Sequence, residues 1–182
     1  MRIFDNIKRT FGKRELDKLA EHRKHIECKG FQNSKTIGIV YDATHENAFK
    51  SVKALIESIK KYDKNVHSLG YANLPELANF HIQPKEFEFF CNKDLNWFKK
   101  PIDKDVEKFC NTNFDILIDL SLEDYLPLLF VVAMSEAKFK TGRYSKTNIQ
   151  FYDMLIDISE NHSMEFLIEQ SMNYLKMMNP KF

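Results

Sequence analysis

The sequence predicts an α/β fold: a three-layer Rossmann-like sandwich on a mostly parallel sheet of about six strands, with an extra basic amphipathic N-terminal helix. Three observations predict it. Short apolar runs of strand length alternate with helix-period segments along most of the chain. The runs Thr36–Tyr41 (TIGIVY) and Phe114–Leu120 (FDILIDL) are nearly continuous and rich in β-branched residues, as strands covered on both faces must be. Finally, Phe114–Leu120, the apolar helix Glu123–Ala137 and the extended Lys138–Thr141 form one βαβ unit. Such a unit makes its two strands parallel through a right-handed crossover.

The elements follow in order. Met1–Ile26 reads as one or two helices, broken near Gly12. Ile3, Phe4, Ile7 and Phe11 share one face, and Arg2, Lys8, Arg9, Lys13 and Arg14 crowd the rest. Gly30–Lys35 is a polar connection to the first strand, Thr36–Tyr41. The next helix, Glu46–Tyr62, has Phe49, Val52, Leu55, Ile56 and Ile59 at helical spacing, with Thr44 as its N-cap. Val66–Tyr71 is the second strand. Leu74–Phe80 holds a turn of helix. Glu86–Cys91 is a third strand, near the edge of the sheet. Asn92–Pro101 is a loop around the single tryptophan, and Asp103–Asn111 is a short helix. Phe114–Leu120 is the fourth strand, and Ser121 and Glu123 supply helix-start chemistry. Lys138–Thr141 is the fifth strand, closed by Gly142. Phe151–Ile158 is the sixth, and Ser163–Met178 is the last helix. A strand order of 3-2-1-4-5-6 is expected. Residues 1–29 form a helical arm and residues 30–182 the α/β domain.

Composition bounds the function. Hydrophobic residues make up 43% of 182, with 16 Phe and 7 Tyr, so a substantial core can form and disorder is excluded. A net charge of +1 excludes a uniformly basic nucleic-acid binder. The charge is uneven, however. Residues 1–29 hold nine Lys/Arg against five Asp/Glu, so the remainder carries three excess negative charges. Cys28, Cys91 and Cys110 are widely spaced with no CxxC, which signals neither zinc nor a disulfide framework and fits a reducing cytoplasm. There is no apolar leader and no uncharged run of membrane-spanning length.

In such a sheet a ligand site forms outside the carboxyl ends of the strands, where the strand order reverses. Here that crevice falls between the first and fourth strands. It offers Asp42, Thr44, His45, Asp119, Ser121 and Glu123, residue types able to do acid–base work or hold a metal. The competing reading makes Thr44 and Ser121 helix caps and the acids complements to helix dipoles, and it is the stronger. No GxGxxG follows the first strand, no GxxxxGK[ST] occurs, and no GxSxG elbow exists, so no nucleotide cofactor is expected. His22 and His25 read as helix-surface residues, and the cysteines as inert.

Lys138, Lys140 and Arg143 form the one compact basic cluster outside the arm. They would meet phosphate or a partner's acids. Alternatively, Lys138 and Lys140 protect an edge strand, the reading slightly favoured. Trp97, with Phe98 and Lys93, Lys99 and Lys100 around it, would stack a base or sugar, or pin its loop to the core. Phe4, Arg9, Phe11 and Trp97 are the candidate partner-binding residues. The arm would dock on its own domain or a second copy, lie on an anionic membrane surface, or contact RNA phosphates.

The segments Asn92–Trp97 (NKDLNW), Asn111–Ser121 (NTNFDILIDLS) and Ser135–Gly142 (SEAKFKTG) resemble a Bacteroidota family of short cytoplasmic proteins, known only as a domain of unknown function. The most specific part is S-x-A-K-F-K-x-G, carried by Ser135, Ala137, Lys138, Phe139, Lys140 and Gly142. The resemblance implies the fold and no activity. At fold level, FDILIDL followed by the apolar helix and AKFKTG is similar to the N-terminal half of heptosyltransferase-type GT-B enzymes. That similarity implies acceptor-side recognition or an interaction role without the catalytic half. The expected function is a non-enzymatic interaction or binding module. The alternatives are a phosphate- or sugar-binding enzyme or sensor using the crevice, and RNA or membrane-surface association through the N-terminal helix.

Overall fold

A computed structural model of the chain describes residues 2–21, 27, 30–84 and 86–178, with the side chains of 2–7 and 9 outside that description. Helix α1 spans Arg2–Glu21, and a single turn, α2, spans Gly30–Asn33. The sheet is built from β1 (Thr36–Asp42), β2 (Asn65–Ala72), β3 (Phe87–Cys91), β4 (Ile116–Asp119), β5 (Lys140–Arg143) and β6 (Met154–Ile156). The covering helices are α3 (Glu46–Lys60), α4 (Lys104–Cys110), α5 (Leu126–Met134) and α6 (Met164–Met177).

The six strands lie in the order β3-β2-β1-β4-β5-β6, and every neighbouring pair is parallel. This is the order expected from sequence. The chain leaves β1 toward β2 on one side and returns to β4 on the other, so the order reverses between β1 and β4. There Val40 stands opposite Asp119.

Side-chain alternation divides the interior in two. Ile37, Ile39 and Tyr41 of β1 join Ile116, Ile118 and Leu120 in a core capped by α3 and α6. Val40 and Leu117 face the opposite way, toward α4, α5 and the second half of α1. A sheet covered on both faces has no solvent side, which is why its strands are apolar nearly throughout.

Several elements differ from expectation for identifiable reasons. Helix α1 runs unbroken through Gly12. The glycine is there because the helix lies close on α5: a Cβ would sit 2.9 Å from Leu126 Cδ2 and 3.0 Å from the Phe98 carbonyl oxygen. Helix α5 begins at Leu126, with Pro127 in its first turn, so Ser121 and Glu123 belong to the preceding loop. The residue before α3 is His45, which gives no side-chain cap, and Thr44 bonds elsewhere. Ser163 does cap α6, accepting from the Phe166 amide at 3.3 Å.

The expectation of an edge strand at Lys138–Thr141 is overturned. Strand β5 lies between β4 and β6, and the edges are β3 and β6. Lys140 is 3% exposed, and its ammonium donates to the Val132 carbonyl at 2.7 Å. That carbonyl is in the last turn of α5, where it has no partner within the helix. Lys138 bonds Asp115 at 2.8 Å. The two lysines are fastenings of the interior, not guards of an edge.

Candidate functional site

The crevice predicted from topology is present. An open cleft of about 470 Å³ lies beyond the carboxyl ends of β1 and β4, and Asp42, His45, Asn47, Glu123, Tyr125 and Glu165 are among its lining residues. Three segments build it: the turn from β1 into α3, the loop from β4 to α5, and the start of α6. Among the described residues, no lysine or arginine lines it.

Asp42 ends β1 and closes the turn behind it. Its Oδ1 accepts from the Thr44 amide at 2.9 Å and from the Thr44 hydroxyl. The Thr44 oxygen in turn accepts from the Asn73 amide at 3.0 Å, tying the turn after β1 to the end of β2. Tyr125 and Tyr71 flank the carboxylate, with ring centroids 6.1 Å apart. Burial pushes both phenols up to about 12, and the Asp42 charge adds to it. They therefore act as neutral hydrogen-bonding groups at physiological pH. Glu123 and His162 face one another at 3.3 Å on the exposed rim. The Ser51 hydroxyl donates to Glu165 at 3.0 Å.

Asp119 and Ser121 stand at the neighbouring strand end, but they are sealed. The Asp119 carboxyl is 5% exposed and accepts from the Ser121 amide at 2.8 Å and from the Tyr152 hydroxyl. Burial raises its pKa despite those donors and Arg143 nearby. The Tyr152 ring reaches this carboxyl across β5, and only a glycine lets it pass. A Cβ on Gly142 would lie 2.6 Å from Tyr152 Cε1. Arg143 is aimed outward, donating from Nη2 to Asp124 and from Nη1 to the Tyr144 carbonyl at 3.1 Å. Burial would raise Asp124, but the Ser145 and Thr147 hydroxyls and Arg143 outweigh it and hold the carboxylate below its ordinary range.

The structure therefore brings Asp42, Thr44 and His45 to the crevice and places Asp119, Ser121 and Arg143 in an adjoining closed cluster. Lys138 and Lys140 lie at the opposite end of the sheet, at the amino ends of β4 and β5. Phe11 and Trp97 meet on the α5 side with ring centroids 5.1 Å apart. Phe4 and Arg9 fall outside the described side chains, and His22, His25 and Cys28 outside the described residues. Cys91 and Cys110 are buried free thiols, and burial raises both, Cys110 to about 12. Sequence reasoning missed Asn47, Tyr125, His162 and Glu165. Tyr125 was taken as part of the apolar helix. Glu165 comes from more than a hundred residues away, and the only local signal was the Ser163 cap that marks the start of α6.

Among the described residues, no group of three or more His, Cys, Asp or Glu side chains is placed to hold a metal ion. Nor is any helix among them long and apolar enough to cross a membrane.

Comparison with protein-family models finds a match over residues 8–178 to the family of unknown function DUF6913. The chain is a member of DUF6913. The match includes the second half of α1 and ends at the close of α6, so it takes in the whole sheet and both helix layers. No curated protein and no solved structure matches the chain.

Proposed function

We propose that this DUF6913 member is a non-catalytic binding module, and that its crevice takes a small neutral polyhydroxylated ligand, a sugar or a sugar-like polyol, in the cytoplasm. The observation that carries the reading is the charge of the cleft. Asp42, Glu123 and Glu165 line it with Asn47 and Ser51 and, among the described residues, no lysine or arginine. Carboxylates and amides accept and donate to hydroxyl groups, and the Tyr125 ring offers an apolar face to sugar C–H groups.

A phosphate fits poorly. The two helices that begin at the cleft would attract an anion, but each already has an acid in its first turn, Glu46 in α3 and Glu165 in α6. A phosphate would meet three carboxylates with no lysine or arginine to balance them. The polar groups nearest the strand ends are used on one another: Asp42 holds Thr44, and Asp119 is closed beneath Tyr152. That arrangement supports recognition over turnover.

Calorimetric titration with a panel of neutral hexoses, heptoses and polyols, against the matching sugar phosphates, tests the proposal. Neutral sugars bind, and Asn47→Ala and Glu165→Gln each weaken binding by about tenfold through one lost hydrogen bond. Tighter binding of the phosphates, or no binding of any neutral sugar at millimolar concentration, contradicts it.

A further inference from the structure

A second exposed feature stands on the other helix layer. Phe11 of α1 and Trp97 of the loop after β3 are in ring contact, yet remain 43% and 54% exposed. Phe98 lies 5.8 Å from Phe11 and 5.1 Å from Trp97, and itself reaches the buried Phe130 at 6.1 Å. The outer two rings are thus fixed from beneath by a third that is anchored in the core. Ordering two aromatic rings at the surface without burying them forgoes most of their hydrophobic gain.

The two chain segments that carry this pair are basic in sequence. Residues 8–14 and 92–101, which present the rings, hold Lys8, Arg9, Lys13, Arg14, Lys93, Lys99 and Lys100 against one acid, Asp94. That acid is turned inward, accepting from the Cys91 amide at 2.8 Å. Gly12 of α1 sits against Leu126, the first residue of α5. Ten helical residues, about 15 Å at the usual rise, precede this contact.

We propose that the Phe11–Trp97 patch is a docking surface for an anionic lipid bilayer. Aromatic rings beside lysines match the headgroup layer, where rings sit at the acyl boundary and ammonium groups meet lipid phosphates. A nucleic-acid base needs an open ring face to stack on. Trp97 already contacts Phe98 edge-on at 81° and Phe11 tilted at 49°, so a stacking base would compete with its own neighbours, and the RNA arm of the test reads whether one does. The local excess of lysine supplies the complementary charge, while the chain as a whole is nearly neutral. Docking is consequently confined to this face.

Trp97 is the only tryptophan, so its emission reports directly on the patch. The full chain is mixed with vesicles of phosphatidylglycerol and phosphatidylcholine, with vesicles of phosphatidylcholine alone, and with single-stranded RNA. Anionic vesicles shift the Trp97 emission to the blue and sediment the protein, neutral vesicles do neither, and added salt reverses the effect. The double variant Lys93→Glu/Lys99→Glu, both positions exposed and its melting curve recorded alongside, binds anionic vesicles at least about tenfold more weakly. Equal binding to neutral vesicles, unchanged binding by a folded charge variant, or a Trp97 response to RNA alone overturns the proposal.

Discussion

At the amino end of the sheet, the Asp115 carboxylate accepts from the Lys35 amide at 2.8 Å and the Thr36 amide at 3.2 Å while it pairs with Lys138 at 2.8 Å. At the carboxyl end, Asp42, Glu123 and Glu165 line an open cleft that no lysine or arginine lines among the described residues. At one end a buried acid is matched to a lysine and backbone amides; at the other the acids take hydroxyl, amide or imidazole partners on the wall of an open cleft. Burying a charge requires partners for every lone pair, so the first arrangement belongs to the scaffold. Carboxylates with no lysine or arginine partner are tolerated where water or a ligand reaches them, so the second is the end open to recognition. Lys138 and Lys140 have the composition of a phosphate site, but their placement makes them part of the scaffold.

The contrast can be broken by substitution, beginning where the effect is largest. Asp115→Ala removes the acceptor for two backbone amides and the ion pair with Lys138. The loss of those acceptor bonds should cost about 2–4 kcal/mol, seen as a fall in Tm of roughly 5–15 °C. Gly142→Ala drives a methyl into the Tyr152 ring and should cost about 1–3 kcal/mol, read from a urea unfolding curve. The rim substitution Glu123→Gln should change stability by less than about 0.5 kcal/mol while weakening ligand binding. A rim variant that unfolds as readily as Asp115→Ala would erase the distinction between the two ends.

A pH series sharpens the comparison further, because two buried acids shift in opposite directions. Burial would raise Asp115, but Lys138 and the amides of Lys35 and Thr36 hold it well below the ordinary range. Its contribution to stability is therefore full above the unfolded carboxylate value of about 4, and it is lost as pH falls toward the lower folded value. Asp119 is raised by burial. Its contribution is full below the unfolded value and is lost as pH rises through the folded one. The cost of Asp115→Asn should thus shrink in acid, and the cost of Asp119→Asn should shrink toward neutral pH. Chemical denaturation of the two variants and the parent across pH measures both. Parallel profiles would contradict the assignment.

Much of the architecture was legible because the strands state it plainly. Thr36–Tyr41 is apolar almost throughout and Phe114–Leu120 is apolar on both faces apart from Asp115 and Asp119, as a sheet covered on both faces requires. The start of α5 differs because Ser121 and Glu123 carry helix-start residue types but lie in the loop before it, where the Ser121 backbone amide donates to Asp119. The lysines of S-x-A-K-F-K-x-G were misread for a different reason. A strand sequence shows which face a lysine takes, but not whether a helix carbonyl or an aspartate waits there. Gly142 was read as a strand end, whereas it lies within β5 and is required by an aromatic ring ten residues later. At the crevice, Asp42 and His45 follow directly from the end of β1. Glu165 and His162 arrive through the packing of α6, and no local pattern announces them.

The most direct measurement is calorimetric titration of the full chain with neutral sugars and their phosphates, repeated on Glu165→Gln. Neutral sugars should bind, their phosphates more weakly, and the variant about tenfold more weakly than the parent. Phosphates binding best, with the variant improving their affinity by removing a like charge, would contradict the account of this cleft.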